Sequence, residues 1–146
     1  HPQGKHVGWP LPGPAALPGA TRHELNGAEA RELIKNGCVC VSGGANMPST
    51  LEAIEVFLEA KTAYGPAKAA NAGGVATSQL EMAQNAGMQQ WSFEEVDARL
   101  KGIMKHIFET SHETAKEFKQ PHNLVLGANI AGFRKVADTM LSLGVY

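Results

Sequence analysis

The stretch "CVCVSGGANMPSTLEAIEVFLEAK", Cys38 to Lys61, changes character twice within a short span. Cys38 to Val41 is a run of four apolar residues with β-branched Val39 and Val41, which reads as a short buried strand. "SGGANMP" follows, made of residues that interrupt regular structure. Leu51, Ile54, Phe57 and Leu58 then recur on one helix face, and Ser49 with Glu52 has capping-box spacing. A helix is therefore expected from about Thr50 to Lys61. Strand, loop and helix in that order point to an α/β fold. One clear strand, with a second candidate at Ala15 to Pro18, does not make a sheet. An α/β reading therefore expects most of the sheet to lie in a missing N-terminal part.

Upstream, residues 1–18 form a proline-rich opening segment. They hold five of the eight prolines, and proline lacks the backbone donor that regular structure needs. The chain begins with His1, which together with that segment suggests a chain cut from something longer. Asn26 is placed to cap a helix through Lys35, with Asn36-Gly37 as its left-handed stop. Downstream, a helix is expected to start near Thr77 or Ser78 and run to about Ala86. Ser92 with Glu95 caps a long one, along which Phe93, Val96, Leu100, Ile103, Met104, Ile107 and Phe108 repeat at helical spacing, so one side is expected to be buried. A last helix is expected from about Asn129 to Leu143, stopped by Gly144.

At 146 residues the chain suits one domain with a real core. A formal net charge of -1 gives no electrostatic argument for nucleic acid or an anionic membrane surface. No apolar run approaches a membrane span, and no signal peptide is visible. Cys38 and Cys40 are too close along a strand for an ordinary disulfide, so a reduced pair is expected. With no export signal, that points to the cytoplasm. The histidines show no metal-ligand spacing, so no metal site is expected.

Three segments share a bare character: "SGGANMPST", "KAANAGGVATS" and "LGANIAGF". Each sets glycine and alanine beside an asparagine, just before or at an expected helix start. Small residues let a ligand approach the backbone, asparagine offers a donor and an acceptor, and a helix start attracts anions. Asn46, Asn71 and Ser78 are the candidates this singles out. The plainer reading is that Ser78-x-x-Glu81 is only a capping box and the asparagines are turn residues.

Taken together, "GANMPST", "AANAGGVATSQLEMAQN", "VDARLKGIM" and "GANIAGFRKVADTMLSLGV" resemble, in order, the C-terminal portion of the hexameric glutamate dehydrogenases. The resemblance covers about Ala16 to Tyr146. It departs at Gly19, Arg22 and His23, where the family reads "ALPCATQNEL", and at Gly43, where glutamate is usual. It implies that residues 19–146 are the C-terminal part of a Rossmann-like coenzyme domain, mostly helical as a fragment with few strands. It implies that Ser78 binds the glutamate side-chain carboxylate, that Val75 packs beside the substrate methylenes, and that Asn46 and Asn71 lie near the nicotinamide ribose and amide. The cofactor it implies is NADP, with NAD as the alternative. The reaction it implies is reversible deamination of L-glutamate to 2-oxoglutarate and ammonium by a homohexamer.

In that family the proton-transfer lysine and aspartate lie before the start of this chain, so no catalytic residue is assigned here. Lys61 and Lys68 are expected to be solvated. Two alternatives accompany this reading: a fragment of a leucine, phenylalanine or valine dehydrogenase, and a non-catalytic helical packing module.

Overall fold

The computed structural model describes residues 12–144. Its elements are β1 (Ala15–Ala16), α1 (Gly27–Lys35), β2 (Cys40–Ser42), α2 (Leu51–Glu59), β3 (Ala63–Gly65), α3 (Ala67–Ala70), α4 (Ala72–Ala86), α5 (Phe93–Glu117) and α6 (Leu124–Ser142). The strands form one parallel sheet in the order β1-β2-β3, with Ala16 opposite Val41 and Val41 opposite Tyr64. Parallel neighbours need a crossover, and α1 and α2 supply the two. The class is α/β, mostly helical, with few strands.

The core lies between the sheet and its crossover helices. Leu25, Ala30, Leu33, Val41, Phe57 and Tyr64 are buried together, and the Phe57 and Tyr64 rings stack with centroids 5.6 Å apart. α1 begins in a full capping box. Asn26 Oδ1 accepts from the Ala28 and Glu29 N–H groups at 2.9 and 3.1 Å, and the Glu29 carboxylate accepts from the Asn26 N–H at 2.8 Å. Gly37 ends the helix at φ 85°, where a side chain would be strained. Asn26→Ala is expected to lower stability by about 1 kcal/mol, read from the urea midpoint.

Several boundaries differ from those the sequence suggests. β2 starts at Cys40 rather than Cys38, because the Cys38 N–H is committed to Leu33 O at the end of α1. Thr50, not Ser49, caps α2, accepting from the Ala53 N–H at 3.2 Å. β3 and α3 are additions, so the described strands number three. Ala15–Ala16 pair with β2 from within the proline-rich opening segment, whose residues 1–11 lie outside the described residues.

α4 begins at Ala72, well before Ser78, and runs straight through Gly73 and Gly74. α6 begins at Leu124, capped by Asn123, so "GANIAG" lies inside a helix and not before one. There Gly127 is buried against Ser111 of α5, and α5 and α6 pack closely on each other. Both cysteines are free thiols. No described helix is long and apolar enough to cross a membrane, and no three described His, Cys, Asp or Glu residues cluster as metal ligands.

Candidate functional site

β2 and β3 run parallel and deliver their carboxyl ends to the same side, into the loop at 43–49 and into α3. Ligands of parallel α/β sheets bind at that end, in the crevice outside the strands. Here it is a cavity of about 550 Å³ lined by Asn46, Ser49, Tyr64, Lys68, Asn71 and Asn129, among others.

The loop at 43–49 is tightly braced. A Cβ at Gly43 would lie 3.1 Å from both Ala67 Cα and Pro48 Cγ, so glycine lets the loop close on α3. His23 and Met47 both have positive φ, 55° and 51°, and the His23 N–H donates to Met47 O at 2.9 Å. Buried Glu24 holds the preceding turn, its carboxylate accepting from the Ala20 and Thr21 N–H groups at 3.2 and 3.0 Å.

Asn71 ends α3 and begins α4, and caps neither with its side chain. Its Nδ2 donates instead to Ala45 O at 3.1 Å, tying the α3–α4 junction to the loop that carries Asn46. On the crevice wall, burial pushes the Tyr64 phenol above its ordinary pKa. The neighbouring Ser49 hydroxyl opposes that rise. Ser49 Oγ is nonetheless buried without a well-formed hydrogen bond, and an unsatisfied buried hydroxyl is costly. Three amides from three segments and the Ser49 hydroxyl give the crevice several hydrogen-bonding groups of both kinds.

The structure thus brings Asn46 and Asn71 to one crevice. Val75 and Ser78 lie outside its lining, along α4. Residues 71, 75 and 78 follow the i, i+4, i+7 spacing of one helix face, and both side chains are exposed. Ser78 is an interior helix residue, and its Oγ donates to Gly74 O at 3.3 Å. The capping-box reading of Ser78 therefore fails, because the helix starts two turns earlier than its glycines suggested.

Lys68 is exposed as expected, yet it is engaged: its Nζ donates to Asn129 Oδ1, linking α3 to α6. Sequence reasoning passed over Asn129, Ser49 and Tyr64. Asn129 had one available signal, its place in the third bare segment. Tyr64 had none, since "AYG" is too short to declare a strand.

The chain is similar to known proteins. The family model for glutamate/leucine/phenylalanine/valine dehydrogenases matches residues 2–144. An NADP-specific glutamate dehydrogenase of Helicobacter pylori is 60% identical over 145 residues, covering 99% of this chain and 32% of that protein. One from Escherichia coli is 56% identical over 137 residues, covering 94% of this chain and 30% of that protein. The solved glutamate dehydrogenase of Plasmodium falciparum superposes with a TM-score of 0.91 at 47% identity, over 94% of this chain and 30% of that one. The chain spans about a third of the length of the relatives it matches. A family model covering nearly every residue establishes that the chain belongs to the glutamate/leucine/phenylalanine/valine dehydrogenase family.

Proposed function

We propose that the chain forms the C-terminal part of the coenzyme domain of an NADP-linked glutamate dehydrogenase. The whole protein then interconverts L-glutamate with 2-oxoglutarate and ammonium. The observation that carries this reading is the continuity of one surface. Asn46 and Asn71 share the crevice at the strand ends, and Val75 and Ser78 extend from Asn71 along the exposed face of α4. Asn46 and Asn71 would hold the nicotinamide end of the coenzyme, which would supply hydride exchange at the substrate's α-carbon.

The chain's own residues position and select. The free faces of the Asn46 and Asn71 amides orient the carboxamide and ribose. Val75 offers methyl groups to the substrate's methylenes. The Ser78 hydroxyl, turned from Gly74, donates to the distal carboxylate. That last contact favours glutamate over an apolar amino acid, which has no charge to receive it. By its resemblance to the family, proton transfer is assigned to the part of the family protein that this chain does not match. Apolar Phe133, Val136 and Leu141 of α6 are exposed, which suits burial against that part or against other subunits of a hexamer.

The test is an assay of NADPH oxidation dependent on 2-oxoglutarate and ammonium. The protein at the full length of its relatives should be active, whereas the 146-residue chain alone should not exceed a boiled blank. An inactive full-length protein, or one preferring a branched or aromatic oxo acid, would overturn the assignment.

A further inference from the structure

Asn46 lies exposed in the loop at 43–49, yet the backbone on either side of it is fixed to one other segment. On its N-terminal side, the Gly44 and Ala45 N–H groups donate to Pro18 O at 2.8 and 3.3 Å. On its C-terminal side, Met47 O accepts from the His23 N–H at 2.9 Å, and Pro48 O from the Leu25 N–H at 3.0 Å. Pro18, Leu25 and Pro48 are fully buried, so these contacts are anchored in the core. Asn46 is thus held between two jaws, Pro18 and His23, and the turn at 19–22 sets how far apart they stand.

Glu24 closes that turn. Its two carboxylate oxygens accept from two different backbone groups, the Ala20 and Thr21 N–H, at 3.2 and 3.0 Å. The residue is only 5% exposed, and no described lysine, arginine or histidine forms an ion pair with it. Burying a carboxylate without a cation is costly, and the two N–H bonds are what offset it here. Glutamine has nearly the same shape but a single acceptor oxygen, and would set its own N–H against one of the two donors. The jaw at His23 is also strained. His23 and Met47 hold φ of 55° and 51°, which residues other than glycine seldom adopt and which persist only where the surroundings enforce them.

We infer that Glu24 is a positioning residue for the coenzyme: by fixing the turn at 19–22 it sets the spacing of the jaws, and so the orientation of the Asn46 amide. This rests on the reading of Asn46 as a coenzyme contact given above. Glu24 itself does not line the crevice, so its effect on a ligand there comes through the loop. The loop also receives the Asn71 side chain at Ala45 O, so a loosened turn disturbs both amides.

The test is made in the protein at the full length of its relatives. Glu24→Gln should raise the KM for NADPH about tenfold, with kcat and the KM for 2-oxoglutarate within about twofold of the parent, the pattern of weakened binding without altered chemistry. Hydrogen exchange over residues 43–50 should quicken about tenfold while α5 keeps its rates. In an Asn46→Ala background, Glu24→Gln should add little to the KM for NADPH, because both changes act through one contact. If Glu24→Gln does not fold, Glu24→Asp, which keeps the charge and withdraws the oxygens by one methylene, takes the same measurements. Unchanged exchange over 43–50, an earlier melt with the KM for NADPH unmoved, or additive effects of the two substitutions would each overturn the positioning role. Asn46→Ala alone with an unmoved KM would fell the coenzyme reading of Asn46 and this inference with it, which keeps the two failures apart.

Discussion

Replacing Gly127 with alanine is expected to destabilise the chain by about 3 kcal/mol or more, the largest loss foreseen for any single methyl group here. The added Cβ would lie 1.9 Å from Ser111 O and 3.1 Å from Ala115 Cβ. A backbone carbonyl in the middle of α5 cannot swing aside as a side chain can. α5 and α6 must separate, and the surface they bury against each other opens. Gly27→Ala makes the informative control. Its Cβ would meet Glu52 Cδ at 2.2 Å, but that is the end of an exposed side chain paired only with Arg31. Moving it forfeits a surface ion pair worth about 0–1 kcal/mol. Urea melts of the two variants should therefore differ several-fold in lost stability. Equal losses would mean that the α5–α6 crossing relaxes freely.

Ser78→Ala, made in the full-length protein, is expected to raise the KM for glutamate about tenfold to hundredfold. That range corresponds to a hydrogen bond of roughly 1.5–3 kcal/mol to a charged group. Because Ser78 sits inside α4 and caps nothing, the substitution should leave stability unchanged or slightly higher, alanine being the better helix former. Norvaline lacks the distal carboxylate, so its KM should move far less. Equal impairment toward both substrates, or an earlier melt with unchanged KM, would remove Ser78 from the substrate site.

What was legible in the sequence tracks how local the determining physics is. The Asn26 box, the Ser92 box and the Gly37 stop are decided within one or two turns and stand where the pattern put them, whereas of the apolar stripe of α2 Phe57 is buried and Leu51 is exposed. α4 is different. Gly73 and Gly74 argue locally against helix, yet the run from Ala72 is helical because α4 packs on α5, where Gly73 lies near Leu100 and Met104. β3 is three residues long and exists only because β2 offers it an edge, a fact no window of sequence contains. The site divides the same way. Asn46 and Asn71 were visible as polar residues on bare backbone. The Lys68–Asn129 link joins residues 61 apart in sequence and needed the fold.

The Asn71 junction has a mechanical consequence. α4 is tied to the loop at that residue and packs on α5 along one side, leaving exposed the face that carries Ser78. Seven residues of helix separate the two, a lever arm of roughly 10 Å. A rotation of about 10° at the support would carry Ser78 through about 2 Å, when a misplacement of about 1 Å can reduce a reaction rate a hundredfold. The 3.1 Å bond from Asn71 Nδ2 to Ala45 O is what resists that rotation from the loop side. Beside the packing of α4 on α5, that one amide helps to fix the angle at which Ser78 is carried two helical turns away, and it couples the loop that carries Asn46 to the helix that carries Ser78.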